Sequence, residues 1–198
     1  MEIHLTEIYK GLAEWRAERG ITAESQKAGY TINIMEEFGE LATALREYER
    51  FSKPSYPYPK NKKYAEHGII DALCDIAVFT INAGTDVNCN EKIESINTTT
   101  ETTRCNSSLS FLLSECGNFD YYGKFSSYVC FNQILLSCAK LCEHYGFNFE
   151  IAMLETIKEI SSRTGSYDEV SKKWVKDTSD EAKAKWYKAN YELARIEK

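Results

Sequence analysis

The stretch Met35-Glu36-Glu37-Phe38-Gly39-Glu40-Leu41 places three carboxylates within five residues, next to apolar side chains that repeat at helical spacing. Residues three or four apart share one face of an α-helix, so Glu40 lies beside both Glu36 and Glu37. Like charges on one face repel each other and destabilise the helix. A divalent cation or a row of basic side chains would relieve the repulsion. The stretch therefore predicts a long helix that carries a cation-binding face.

A second acidic face follows in the segment 64–83, where Asp71 and Asp75 are four residues apart among densely apolar positions. Such a segment predicts a central, buried helix. A buried carboxylate is costly unless it is paired or bound to a metal. Two acidic faces on neighbouring helices thus predict one shared metal site.

Composition limits the class of protein. The chain has 198 residues, 43% of them hydrophobic, and only three prolines, which favours a single helical domain over 1–198. The net charge of −6 argues against a nucleic-acid partner, because binding the phosphate backbone demands a basic face.

We see neither a signal peptide nor an apolar window that approaches a membrane span, so we expect a cytoplasmic protein with no membrane partner. The seven cysteines are expected to be reduced and buried.

Apolar periodicity predicts an all-α bundle of about five to seven helices. We expect helices over 4–20, after a cap at Thr22, over 64–83, 108–116, 126–145 and 149–162, and a polar C-terminal helix over about 179–196. The segments 51–63, 117–123 and 163–168 are expected to be a loop and two turns. Residues 85–125 are interpreted as an insertion, and no strand alternation of useful length is evident.

The type of metal follows from the donor atoms. Di-iron bundles use Glu-x-x-His motifs, and His4, His67 and His144 have no Glu three residues before them. Oxygen donors alone favour a hard cation, so we expect Mg²⁺, with Mn²⁺ as the alternative.

These residues resemble the motif of the all-α nucleoside triphosphate pyrophosphohydrolases, the MazG-like proteins and their dimeric dUTPase relatives. That family carries E-x-x-E and, after a loop, E-x-x-D. Glu37 and Glu40 match the first half, Glu36 extends it, and Asp71 matches the final Asp. The position three residues before Asp71 is Gly68, where the family has Glu. The resemblance implies a MazG-like four-helix core.

Two carboxylates are candidates to replace the missing Glu. Asp75 is favoured because it shares the face of Asp71, whereas Glu66 lies five residues back and well round the helix. The resemblance continues in Lys158-Glu159-Ile160-Ser161-Ser162-Arg163-x-Gly165, which is similar to the family's basic, phosphate-facing segment. It covers roughly residues 20–84 and 150–190.

The resemblance implies hydrolysis of a nucleoside triphosphate between the α- and β-phosphates, giving a monophosphate and pyrophosphate. The implied metal ligands are Glu37, Glu40, Asp71 and Asp75. Glu36 and Glu37 are the implied catalytic residues, with Glu36 as the candidate general base or a further ligand. Substrates such as dUTP, dCTP or non-standard nucleotides are in keeping with the family.

Substrate contacts are also expected from the resemblance. Lys158 and Arg163 would neutralise the phosphates, and Gln26, Asn33 and Asn82 would contact the base. A solvated helix face remains the alternative for each basic residue. Trp15 is either a stacking partner or part of the core.

Two other functions remain open. The chain could be a non-catalytic protein that binds a nucleotide or a partner through a degenerate metal site. It could also be an acidic interaction adaptor that binds neither metal nor nucleotide. For an enzyme of this family we expect a homodimer or homotetramer, in which a second subunit covers apolar helix faces.

Overall fold

The computed structural model describes residues 1–55, 59–85, 88–89, 93–99, 108–121, 124–168 and 173–197. Its described part is an all-α bundle with two short sheets, as the sequence predicts for the class. The helices are α1 (Thr6–Glu18), α2 (Ala23–Phe51), α3 (Pro59–Thr85), α4 (Leu109–Tyr121), α5 (Lys124–His144), α6 (Phe149–Ser162) and the one-turn α7 (Asp180–Lys183). A 3₁₀ helix over Tyr191–Ala194 lies near the C-terminus.

Caps and glycines set several helix boundaries as the sequence indicates. Thr22 precedes α2 in an extended conformation, and its side chain accepts a hydrogen bond from the Ser25 N–H at 3.1 Å. Asn148 caps α6 in the same way through the Ile151 N–H. Gly20, with φ of 62°, lies just after α1 in the left-handed conformation that glycine adopts without strain.

Helix α3 is the centre of the bundle and contacts α1, α2, α5 and α6. From Ile69 to Gly84 every position is buried except Asp71, Asp75 and Phe79, which are partly exposed. Their four-residue spacing places these three side chains on one stripe of the helix. The polar face of a nearly all-buried helix is therefore narrow, and the acidic residues define it.

Two antiparallel sheets were not expected. β1 (Glu2–His4) pairs with β2 (Ser95–Asn97), and β3 (Gly165–Asp168) pairs with β4 (Lys173–Lys176). The predicted turn over 163–168 is therefore wrong, because β3 continues the chain after α6 as one arm of a hairpin. The segment 85–125 also contributes more than an insertion would, since β2 covers the N-terminus and α4 packs on α5.

Two other boundaries are corrected. The loop predicted over 51–63 is shorter, because α3 begins at Pro59, a residue suited to the first helical turn. The turn predicted from Gly117 is helical, since α4 continues to Tyr121, while 122–123 lie outside the described residues. Six of the cysteines are free and buried as expected, and Cys105 lies outside the described residues.

The predicted C-terminal helix over about 179–196 is wrong. Only α7 and the 3₁₀ turn are helical there. Backbone N–H groups of Tyr187, Ala189 and Asn190 donate instead to side chains of α6, namely Ser162 Oγ, Glu159 Oε2 and Glu155 Oε2. Because these side chains take the donors that a helix would use, the tail lies along α6 in a partly extended form.

The close packing of α3 against α5 gives a test of the core. A Cβ on Gly84 would lie 2.4 Å from Phe131 Cε2, whereas a Cβ on Gly117, in α4, would contact nothing within 4 Å. We expect Gly84→Ala to lower the free energy of unfolding by about 1–3 kcal/mol through overpacking. Gly117→Ala should raise it by about 0.5–1 kcal/mol, because alanine restricts the unfolded chain. Urea denaturation of both variants measures this, and equal effects would contradict the packing.

Candidate functional site

The acidic residues meet where α2 packs against α3. Tyr30 Oη lies 3.4 Å from Thr80 Oγ1, and a Cβ at Gly68 would lie 3.2 Å from Ala44 Cβ. From the first contact to the second, the residue number rises in α2, from 30 to 44, and falls in α3, from 80 to 68. The two helices are therefore antiparallel. This register places Glu37 opposite Asp75 and Glu40 opposite Asp71. The shared acidic site predicted from the two sequence faces is therefore brought together along one helix pair.

A cavity of about 350 Å³ opens at one end of this acidic row. Its apolar wall includes three aromatic side chains, from Trp15 of α1, Phe79 of α3 and Trp174 of β4. Its polar wall carries two amides, two carboxylates and two cations: Gln26, Asn33, Glu37, Asp75, Arg163 and Lys176. The volume lies within the range of small-molecule sites, and so does the combination of apolar walls with a few convergent polar groups. We refer to this space as the aromatic cavity.

The remaining carboxylates lie in a neighbouring, more open groove of about 560 Å³ between α2 and α3. Glu36, Glu40 and Asp71 line it together with Gly68. We refer to it as the acidic groove. The five carboxylates predicted as catalytic or metal-binding are therefore divided between two adjoining spaces on the same helix pair.

Glu37 has the most unusual environment of the acidic residues. Its pKa is raised to about 7, chiefly by burial and in addition by the nearby charges of Glu40, Asp71 and Glu36, while Lys176 opposes the shift. Its Oε2 atom is buried and has no hydrogen-bond partner among the residues that the structure describes. A pKa near neutrality is the property that suits a carboxylate to act as a general base, and it is found here at Glu37.

The two aspartates of α3 are also held in an environment that favours the neutral form. Burial raises the pKa of Asp75, and the charges of Asp71 and Glu37 add to the effect. Burial likewise raises the pKa of Asp71, although a hydrogen bond from the Tyr191 hydroxyl opposes this. Burial and mutual repulsion therefore both oppose ionisation of the carboxyl groups in this row.

The departure at Gly68 lies at a close approach of the two helices. A Cβ at this position of α3 would lie 3.2 Å from Ala44 Cβ, so a side chain there would require the helices to shift by a few tenths of an ångström. Glu66 does not supply a replacement, because it forms ion pairs with Arg195 at 2.9 Å and Lys62 at 4.0 Å. Asp75, the favoured replacement, lines the aromatic cavity together with Glu37, whereas Asp71 lines the acidic groove.

The fit to a metal ion rests on donor chemistry. Among the described residues, no three His, Cys, Asp or Glu side chains are close enough together to form a ready-made metal cluster. Mg²⁺ does not require one, since it commonly binds one or two carboxylates and completes its shell with water and phosphate oxygens. The Glu37 Oε2 atom, which has no hydrogen-bond partner among the described residues, and the repulsion between the neighbouring carboxylates are suited to such a cation.

The basic residues only partly match expectation. Arg163 lines the aromatic cavity, where its Nη2 donates to Glu159 Oε1 at 2.9 Å. Lys158 does not line it, because its ammonium group binds the buried Glu155 at 2.5 Å on another side of α6. The second cation of the cavity is Lys176. Desolvation and the charge of Arg163 lower its pKa, and the charges of Asp75 and Glu37 only partly offset this shift.

Of the three amide side chains expected to contact the base, two line the aromatic cavity and one does not. Gln26 and Asn33 line the aromatic cavity, and the buried Gln26 Oε1 has no partner among the described residues. Asn82 is wrongly assigned as a contact at this cavity, because it is fully buried and accepts a hydrogen bond from Arg16. Its position near the end of α3 places it in the core between α1 and α3.

The hairpin of β3 and β4 supplies the two cavity residues that the sequence argument missed, Trp174 and Lys176. Arg19 holds it in place, with its guanidinium 5.6 Å from the Trp15 ring and 5.1 Å from the Trp174 ring. Gly165 permits the pairing, because a Cβ there would lie 2.3 Å from the Val175 carbonyl oxygen. The sequence signal for this strand was limited to the β-favouring pair Trp174-Val175 between two lysines.

Comparison with known proteins adds no relative. No family model, no curated protein and no solved structure matches this chain significantly.

Contrary to expectation, α3 contains a segment that is long and apolar enough to cross a membrane by length and composition. Its mean hydropathy is 1.3 and 72% of it is buried within the protein. The core helix of a globular bundle has the same properties, so this composition alone does not indicate a membrane segment.

The raised pKa of Glu37 predicts how stability depends on pH in the metal-free protein. The folded-state pKa of about 7 exceeds the ordinary 4.5, so this group's stabilising contribution is complete below about pH 4.5 and is lost as the pH rises through 7. We expect Glu37→Gln to raise the free energy of unfolding at pH 8 by about 1 kcal/mol after solvent screening. Its stability should also vary less between pH 5 and 8.

Thermal unfolding in the presence of a chelator measures both effects. Glu14→Gln, on the exposed face of α1, is the matched control and should behave as the unchanged protein does. A Glu37→Gln variant that is less stable than the unchanged protein at pH 8 would contradict the assignment.

Proposed function

We propose that this protein is an Mg²⁺-dependent nucleoside triphosphate pyrophosphohydrolase. The observation that carries the proposal is Glu37, whose buried oxygen has no partner among the described residues and which lines a cavity shared with Asp75, Arg163 and Lys176. Carboxylates beside cations, in a space walled by aromatic rings, suit a ligand with a flat apolar part and a polyanionic part. A nucleoside triphosphate has both.

The cations would bind the phosphate chain. Arg163 offers a planar fork of donors and Lys176 a point charge, and both lie at the carboxylate side of the cavity. The base would stack on Trp15, Phe79 or Trp174, while the amides of Gln26 and Asn33 contact its edge. Because Gln26 Oε1 is an acceptor with no partner in the described part of the chain, it favours a base that presents an N–H donor.

The carboxylates would hold the cation and handle the proton. Glu37, Glu40, Asp71 and Asp75 are the proposed ligands, of which one or two at a time suffice for Mg²⁺. When bound, the cation would neutralise phosphate oxygens and make a nearby water more acidic. Glu37 has the pKa that suits a general base near neutral pH.

In the proposed reaction, the oxygen of water forms a bond to the α-phosphorus. The bond between that phosphorus and the oxygen that bridges the α- and β-phosphates breaks. The water proton moves to Glu37 Oε2, and pyrophosphate leaves with the bridging oxygen. Arg163 and Lys176 would stabilise the charge that develops on the leaving group.

A non-catalytic binding protein is the second candidate. Gly68, which stands where the resemblance has Glu, and the lack of a three-ligand cluster among the described residues favour it. Such a protein would bind a nucleotide analogue without releasing product.

We propose that the enzyme acts in the cytoplasm as a homodimer or homotetramer. Ile32 and Met35, one turn apart on α2, are 63% and 66% exposed, which supports coverage by a second subunit. The six buried free thiols are consistent with a reducing compartment.

The direct test is a screen of the common deoxynucleoside and ribonucleoside triphosphates with Mg²⁺ and a pyrophosphate readout. We expect at least one substrate, and a loss of activity by a factor of about 100 or more in Glu37→Gln and Asp75→Asn, because a general base contributes at least that much. Glu14→Gln is the control and should retain activity. Nucleotide binding without product would favour the second candidate, and neither binding nor product would favour an acidic adaptor.

The two lysines provide a sharper test of the phosphate contacts. We expect Lys176→Ala to raise KM about tenfold, the effect of losing about 1.4 kcal/mol of binding to phosphate. Lys158→Ala should leave KM unchanged and lower the melting temperature, because it removes a partner of the buried Glu155. Steady-state kinetics and thermal unfolding of both variants decide this. A larger rise of KM in Lys158→Ala than in Lys176→Ala would contradict this and would support Lys158 as the phosphate contact.

A further inference from the structure

A buried tyrosine of the C-terminal tail contacts the acidic row directly. Tyr191, in the 3₁₀ helix, is 4% exposed, and its hydroxyl donates to Asp71 Oδ1 at 2.5 Å. The two residues are 120 positions apart in the chain. Thr156 Oγ1 of α6 lies 3.0 Å from the same hydroxyl. The C-terminal tail thus donates a hydrogen bond to a carboxylate of the proposed metal site.

Several contacts fix the position of this tyrosine. Its ring packs edge-on against the ring of His67, with centroids 5.9 Å apart. On one side of it the Asn190 N–H donates to Glu155 Oε2 at 3.0 Å. On the other side Glu192 Oε1 lies 2.7 Å from His67 Nε2. The backbone of Asn190 on one side and the side chain of Glu192 on the other are thus held in place, and the buried ring of Tyr191 between them is packed against His67, which keeps its hydroxyl at Asp71.

The hydrogen bond has a specific consequence for Asp71. It engages one carboxylate oxygen and thereby restricts rotation of the carboxyl group, so the second oxygen keeps a defined direction. Groups that orient a metal ligand in this way commonly affect metal affinity as strongly as some ligands do. We propose that Tyr191 is a positioning residue that orients Asp71 for cation binding. This inference rests on the proposed function for the role of Asp71.

The same tail offers a matched control. The Tyr187 hydroxyl also donates to a carboxylate at 2.5 Å, but its partner is Glu155. Glu155 is held in addition by Lys158 and by the Asn190 N–H, and it lines neither the aromatic cavity nor the acidic groove. Removal of either hydroxyl weakens attachment of the tail, but only Tyr191→Phe changes a carboxylate of the proposed metal site.

The experiment is a titration of the full chain with Mn²⁺ alone, in which electron paramagnetic resonance measures the free cation. We expect Tyr191→Phe to weaken Mn²⁺ binding by a factor of about ten or more, and Tyr187→Phe to leave it unchanged. In the hydrolysis assay, the half-saturating Mg²⁺ concentration should rise by a similar factor in Tyr191→Phe. The KM for nucleotide at saturating Mg²⁺ should not change.

Equal Mn²⁺ affinity in the two variants, or tighter binding by Tyr191→Phe, would overturn the inference, as would an unchanged protein that binds no Mn²⁺. If the unchanged protein binds Mn²⁺ but hydrolyses no nucleotide, the proposed function fails, while the Mn²⁺ comparison still decides the role of Tyr191. Should Tyr191→Phe not fold, Thr156→Val removes the other hydroxyl of the pair. It should weaken Mn²⁺ binding several-fold, and unchanged binding would again overturn the inference.

Discussion

The antiparallel packing of α2 against α3 is the constraint on which the rest of the structure depends. It brings Glu37 and Asp75 together in a partly buried space, where burial raises the pKa of both carboxyl groups and the charge of Glu37 raises that of Asp75 further. Such an arrangement is unfavourable for folding, because buried like charges repel and lose hydration. The apolar core around α3 offsets that cost, since nearly every other position from Ile69 to Gly84 is buried. Within α3, the buried apolar side chains thus stabilise the fold, whereas the buried carboxylates destabilise it.

Elements outside this pair enclose the acidic row. The β3–β4 hairpin brings Trp174 and Lys176 to the aromatic cavity, and Arg19 attaches it to α1 and to carbonyl groups at the end of α6. The C-terminal tail approaches from the other side and reaches Asp71 through Tyr191. Both segments follow α6, so residues late in the chain complete a site whose carboxylates come from its first half. This arrangement is consistent with the proposed hydrolase.

Much of the fold could be predicted, because helical periodicity, caps and glycines are local signals. The bounds of α6 and the capping of α2 by Thr22 were correct for that reason. The tail was not, because Ser162, Glu159 and Glu155 take the backbone donors that a helix would use. The sheets were missed because each strand has only three or four residues, too few for a clear alternation.

The sequence alone determined which residues could carry the acidic site, since helical spacing puts Glu36, Glu37 and Glu40 on one side of α2. Only the tertiary structure decided how they are used. Packing separated Glu37 from Glu36 and placed them in different spaces. It also engaged Lys158 with Glu155 and brought Lys176 to the cavity instead. The reason is physical: periodicity fixes the face a side chain occupies, whereas its partner and its desolvation depend on segments distant in the chain.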